Sequence, residues 1–178
     1  MDASEGLSEF FDYVWSDTKA FVYLPTLDRA TSNWVKAMFQ WPRQKPGVIR
    51  HVLKQSAAGL EVFYSPALYK QARPIKDNVL GSWTFWVDFD GNAPEATPEL
   101  VPEPSLRMRS SLEGHEHWYW RLGEFLTDVA LIDERNRSLA YFMEADTSGW
   151  DADQVLRPPF TRNYKRDRDV EVLTWERH

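Results

Sequence analysis

Hydrophobic and polar positions change period several times along the chain, and the changes mark its elements. From Ser4 to Trp15 the residues Phe10, Phe11, Val14 and Trp15 recur near a 3.6-residue period, which predicts a helix with Ser4 as its cap. "AFVYLP", Ala20 to Pro25, predicts a strand ended by proline, and Leu27 to Asn33 is loop-like. "WVKAMFQWP", from Trp34, is read as a strand. "PGVIRHVLKQSAAG" predicts a short helix bounded by Pro46-Gly47 and Gly59, and "LEVFYSP" a strand ended by Pro66. Asn92 to Pro104 holds four prolines among glutamates and predicts a loop. "SLRMRSS" and "HEHWYWRL" alternate and predict a hairpin turning through Leu112-Glu113-Gly114. Ile132 to Ala145 predicts a helix with Ile132, Leu139, Phe142 and Met143 on one side, and "WDADQVL" a further short one. "RPPFTRNYKR" is expected to be irregular because of its paired prolines, and "DVEVLTW" closes the chain as a strand. Helices mixed with an antiparallel hairpin predict an α+β (mixed α/β) core in two layers.

One strand departs from what a core strand needs. In "WTFWVDFDGN", residues two apart share a face, so Phe85, Val87 and Phe89 form an apolar face expected to be the core side. Trp86, Asp88 and Asp90 share the other face. The two carboxylates then sit roughly 7 Å apart at Cα. Anions at that distance repel unless a cation lies between them. Oxygen donors of this kind suit Mg²⁺ or Mn²⁺, which keep waters that a phosphate can replace. The bland reading is a strand end carrying two solvated aspartates before a turn glycine.

Composition narrows the setting. The chain has 178 residues, 43% hydrophobic and 27% charged, which suits one domain. A net charge of -6 argues against a protein coated with basic charge for nonspecific nucleic-acid binding, yet leaves room for a local basic groove. The absence of cysteine excludes disulfides and thiolate metal sites. The start, "MDASEGLSEFF", has no signal-peptide pattern, and no apolar run approaches a membrane span, so the expected compartment is the cytoplasm, with no membrane partner.

Two further clusters bear on the aspartate pair. In "SSLEGHEHWYW", His115, His117 and Tyr119 share a strand face, and His117 lies inside the strand. These histidines are either surface residues beside a hairpin or donors to a phosphate oxygen. In "ADTSGWDADQVLRPPFTRNYKR", Asp146, Asp151 and Asp153 are candidate third carboxylates. Arg157, Arg162, Lys165, Arg166 and Arg168 follow, interleaved with Phe160 and Tyr164. Cations in such a strip set the register on phosphates and rings stack on bases, although basic runs are usually charged surface loops.

The order and type of the three clusters resemble the archaeo-eukaryotic primase superfamily, the primase-polymerases of plasmids, phages and archaea, over roughly Trp83 to Arg166. "FWVDFDG" is similar to its first motif, which implies metal-ligand roles for Asp88 and Asp90. "SSLEGHEHWYW" is similar to the second, which implies that His117 contacts a nucleotide's triphosphate. Many members carry Ser-x-His there, so the second phosphate contact falls to His115 or to Ser111. "EADTSGWDADQVLRPPFTRNYK" is similar to the third, which implies Asp146 as third carboxylate, Arg157 at its basic position and Asn163 at its Asn/His position. Its usual Pro-Gly-Ser/Thr turn is here Pro159-Phe160-Thr161.

The resemblance implies a template-dependent nucleotidyltransferase, a DNA primase or polymerase, that uses one or two Mg²⁺ or Mn²⁺ ions and nucleoside triphosphates on a DNA template and primer. Arg107 and Arg109, which share a strand face, and Arg157 are expected to hold nucleotide or template phosphates. Arg162, Asn163, Tyr164, Lys165 and Arg166 are expected to contact nucleic acid. An RNA-recognition-like sheet carrying the metals is expected over about residues 81–178, packed with a smaller N-terminal α/β unit over about 1–80. A replicative helicase in the same or another chain, and a phage or plasmid origin, belong to the same expectation, as does a catalytic fragment of a longer protein or a stand-alone one. Two other classes stay open. A Mn²⁺-dependent nucleotide-sugar glycosyltransferase also uses Asp-x-Asp at a strand end but leaves the basic strip unexplained. A non-catalytic single-strand-binding module would have no use for metal-binding carboxylates.

Overall fold

The structure, a computed structural model, describes residues 2–176. Helix α1 spans Ala3–Trp15 and leads into β1, Ala20–Tyr23. The short strands β2 (Thr26–Asp28), β3 (Asn33–Val35) and β4 (Met38–Trp41) precede α2, Lys45–Ala57. Strands β5 (Glu61–Val62) and β6 (Leu68–Tyr69) follow, and a 3₁₀ turn at Lys76–Asn78 opens onto β7, Val79–Asp90. Then come β8 (Leu106–Arg109), β9 (His115–Leu126) and α3 (Val129–Phe142). The two-residue strands β10 (Arg162–Asn163) and β11 (Arg168–Asp169) form a small ribbon before β12, Glu171–Trp175. Among the described residues, seven strands join in the order β12-β8-β9-β7-β6-β1-β4, with every pairing antiparallel. Strands β3-β2-β5 form a separate sheet. The mixed α+β class is therefore as expected.

Several elements differ from their sequence reading, each for a local reason. Asp2, not Ser4, caps α1, its carboxylate accepting the Glu5 backbone N–H at 2.9 Å. The loop-like segment after Leu27 is a hairpin, because Asp28 closes its turn by accepting from Ala30 N and Thr31 Oγ1. "WVKAMFQWP" divides into β3 and β4, which pair with β2 and β1 in different sheets. "WDADQVL" forms turns rather than a helix, since Lys76 binds Asp151 at 2.6 Å and Asp133 accepts the Ala152 N–H. "RPPFTRNYKR" is irregular through Thr161 and then forms β10.

Both faces of β7 are covered, where a single core side was expected. Val87 and Phe89 pack with Trp118, Trp120, Ala140 and Met143 against α3. Trp86 enters the main core with Leu7, Phe10, Ile132 and Tyr119. That core is dense in rings: Phe11 stacks on Trp15 at 4.4 Å, and Trp41 and Tyr64 meet the pair edge-on. Beyond β6 the outer edge of β7 is closed by α3 and the segment after it. The Asn136 side-chain oxygen accepts the Trp86 backbone N–H at 3.0 Å, and the Asp88 carbonyl accepts the Asp146 N–H at 2.8 Å.

Asn136 is fully buried and also donates to the Trp150 carbonyl at 3.3 Å. Replacing it by leucine keeps its size but strands a buried N–H and a buried carbonyl. Asn136→Leu is expected to cost roughly 2 kcal/mol. Urea unfolding should show a lower midpoint with an unchanged slope.

Candidate active site

Strand pairing brings the aspartates and histidines together. In the antiparallel register of β7 and β9, Asp88 lies opposite His117 and Asp90 opposite His115. The Trp86 N–H and the Asp88 carbonyl point away from β9, so Asp88 and His117 form a non-hydrogen-bonded pair. Such pairs bring their side chains closest, with Cα atoms about 4.5 Å apart. Asp88 Oδ1 is 3.4 Å from His117 Nε2, and Asp90 Oδ1 is 3.0 Å from His115 Nδ1. The strand ends are fixed by a glycine: Gly114, at φ +76°, accepts from the Gly91 and Ala93 N–H groups. A Cβ at Gly114 would lie 2.6 Å from the Gly91 carbonyl oxygen.

A cavity of about 200 Å³ opens over this pair. It is lined by Asp88, Asp90 and Asp146, by His115 and His117, and by Ser110 and Ser111. Arg157, Asn163, Lys165 and Arg166 complete it. Asp146 arrives because its N–H pairs with the Asp88 carbonyl, and its Oδ1 accepts from both the N–H and the hydroxyl of Ser148. Among the described residues, no three Asp, Glu or His side chains already stand as a complete metal-ligand set.

The electrostatics follow from this crowding. Burial, then the Asp146 and Asp90 carboxylates, push the Asp88 carboxyl up to about 7, against the opposing pull of Arg157. Burial, helped by the Arg157 charge, pushes His117 down to about 3, so its ring is neutral. His117 Nδ1 is buried and has no hydrogen-bond partner among the described residues.

Arg157 is held by a residue that sequence reasoning missed. Glu61, on β5, is fully buried and accepts from Arg157 Nε at 2.8 Å, Arg29 Nε at 2.7 Å and the Lys165 N–H at 2.7 Å. Burial raises the Glu61 carboxyl, but the hydrogen bond from Arg29, the charge and hydrogen bond of Arg157 and the Lys165 N–H hold it below the ordinary value. The one available signal was a glutamate inside the apolar run "LEVFYSP".

Comparisons with known proteins bear on the fold. No protein-family model matches the sequence, and no curated protein sequence does. Among solved structures, the primase-polymerase domain of cyanophage S-2L matches with a TM-score of 0.73 at 12% identity, over 97% of this chain and 90% of that one. The catalytic domain of the primase RepB′, solved in complex with initiator DNA, matches with a TM-score of 0.72 at 14% identity, over 98% and 86%. A second RepB′ structure matches with a TM-score of 0.71 at 14% identity, over 98% of this chain and 57% of that one. The chain has the archaeo-eukaryotic primase fold.

Within this primase fold the sequence candidates separate into two groups. Asp88, Asp90, Asp146, Ser111, His115, His117, Arg157, Asn163, Lys165 and Arg166 meet at the cavity. Asn163 is buried and spends its amide on the Ser110 carbonyl, which ties β10 to the end of β8. Arg107 and Arg109 do not reach the cavity. They lie across from Trp118 and Glu116, on the opposite face from His117. Arg107 binds Glu116 at 3.0 Å over the Trp118 ring, and Arg109 faces Glu171 at 3.6 Å. Arg162 is held on its own ribbon by Asp167 and Asp169, and Tyr164 donates to the Ser56 carbonyl on α2, so neither lines the cavity. Asp151 is bound to Lys76 and lies outside the cavity.

Glu61→Gln removes the charge that two arginines share. Because Arg29 is partly exposed, the expected cost at neutral pH is roughly 2 kcal/mol. The folded carboxyl lies below its ordinary 4.5, so its stabilisation is present above that value and lost as pH falls through the lower folded one. Urea unfolding should therefore show a wild-type advantage that is full at pH 7 and shrinks in acid.

Proposed function

We propose that the chain is a template-dependent nucleotidyltransferase that makes or extends nucleic-acid primers on DNA. The observation that carries this reading is the cavity, where three carboxylates, two imidazoles and three cationic side chains face one another. The fold likeness to a phage primase-polymerase domain and to a primase solved with initiator DNA supports it.

The donor set fits a hard divalent cation. Asp88, Asp90 and Asp146 offer only oxygen, and burial, with the neighbouring Asp146 and Asp90 carboxylates adding to it, drives Asp88 up to about 7. These residues would hold one or two Mg²⁺ or Mn²⁺ ions, which supply a lowered pKa for the attacking 3′-hydroxyl and balance the charge of the leaving pyrophosphate.

The chain's own residues then do three things. Arg157, fixed by Glu61, and Lys165 and Arg166 place positive charge where a triphosphate carries negative charge. His117 is neutral and buried, so it offers a hydrogen bond of fixed direction rather than a charge. Ser111 lines the same wall for a further phosphate oxygen, while the Ser110 hydroxyl donates to the His115 carbonyl at 3.2 Å. A nucleotide-sugar glycosyltransferase would leave Lys165 and Arg166 without a task. A catalytic lobe over about residues 81–178, an N-terminal lobe over about 1–80 and a replicative helicase as partner are proposed on the same reading. No described helix is long and apolar enough to cross a membrane.

Asp88→Ala, Asp90→Ala and Asp146→Ala should each lower incorporation of labelled nucleotides by more than about a hundredfold in Mg²⁺ or Mn²⁺, on primed and unprimed DNA templates. Asp151→Ala and Asp153→Ala should retain it. Undiminished incorporation by the Asp88 or Asp90 variant would sink the assignment.

A further inference from the structure

The small β3-β2-β5 sheet carries a feature that the cavity chemistry does not use. Trp34 pairs across with Leu27, and Leu27 with Glu61, so these residues share one face. Phe63, two residues beyond Glu61, continues that side. The rings of Trp34 and Phe63 meet at 5.1 Å with a 34° tilt, and the Arg157 guanidinium sits 4.8 Å over the Phe63 ring. Trp34 is 50% exposed while Phe63 is buried beneath it. A tryptophan left half in water, with a ring already behind it, presents one open π-face.

The guanidiniums behind that face outnumber the carboxylate between them. Arg29 and Arg157 share the single carboxylate of Glu61, so two guanidiniums meet one anion and one positive charge is left over. Both side chains are clamped through Nε, which leaves their terminal nitrogens to other partners. Lys36, next to Val35 on the exposed edge, adds another cation. Arg157 belongs to both surfaces: it lines the acidic cavity and covers Phe63. The platform is thus continuous with the cavity but lies outside it.

We propose that Trp34, backed by Phe63 and flanked by Arg29 and Arg157, is a docking platform for single-stranded DNA that stacks an unpaired base as the strand approaches the cavity. Open rings beside fixed cations suit a strand whose base faces are free, and a duplex hides those faces. The incoming nucleotide is a different ligand, because Trp34 lies beyond Phe63, which lies beyond Arg157. Naming the strand as template rests on the nucleotidyltransferase reading; the stacking itself does not.

The test is fluorescence anisotropy with labelled oligothymidylate, without metal or nucleotide, on wild type, Trp34→Ala and Trp34→Phe. Trp34→Ala should weaken binding about tenfold, Trp34→Phe should restore most of it, and affinity for a blunt duplex should not change. Far-UV circular dichroism and thermal unfolding check that both variants fold. Equal affinity of Trp34→Ala and wild type, or no single-strand binding by wild type, overturns the proposal. So does a loss in Trp34→Ala that appears in binding of a free nucleoside triphosphate rather than of the oligonucleotide. A wild-type chain that incorporates no nucleotide but binds oligothymidylate through Trp34 keeps the platform and loses the polymerase reading. A chain that incorporates nucleotides while Trp34→Ala binds unchanged does the reverse.

Discussion

Everything at the candidate site depends on the register between β7 and β9. A slip of one residue would turn Asp88 toward α3 and bring Val87 or Phe89 into the cavity. The register is pinned from both sides. Gly114 locks the ends of the two strands, and the row of Val87, Phe89, Trp118 and Trp120 is buried against α3. Trp86 and Tyr119, paired on the other face, are anchored in the main core. The carboxylates and imidazoles thus sit at the end of a rigid ladder. That end is where buried strand gives way to solvent: Asp88 is a quarter exposed and Asp90 mostly so.

The ladder supplies only half of the cavity. The other half comes from the chain after α3, which returns over the strand ends and is held by two buried polar groups. Asn163 binds the Ser110 carbonyl, and Glu61 binds Arg157 and the Lys165 N–H. Buried polar groups of this kind are costly unless they are satisfied, and here each has several partners. They convert a charged loop into a fixed wall. Glu61 also connects that wall to the β3-β2-β5 sheet and to Arg29, so the cationic side of the site has one structural root.

Much of this could be read from the chain and some could not. Period-two alternation placed Asp88 with Asp90 and His115 with His117, because those relations are local to one strand. The turn through Gly114 was legible for the same reason. Arg107 and Arg109 share a face, as alternation requires, but which face depends on Met108 pairing with His117, a tertiary fact. Glu61 was out of reach because its partners lie 32 and 96 residues away. Alternation also could not sort the basic strip: Lys165 and Arg166 line the cavity, while Arg162 is drawn off by Asp167 and Asp169 just beyond the irregular turn. The hairpin of β2 and β3 hid because its strands are three residues long and β3 is exposed throughout.

The central claim is that the ends of β7 and β9 form a divalent-metal site facing a triphosphate. Anomalous diffraction from crystals holding Mn²⁺ and a non-hydrolysable nucleoside triphosphate tests it most directly. The account predicts manganese bound among Asp88, Asp90 and Asp146, with the triphosphate between the metal and the Arg157, Lys165 and His117 wall. Manganese bound elsewhere, or a nucleotide bound with no metal at these carboxylates, would contradict it.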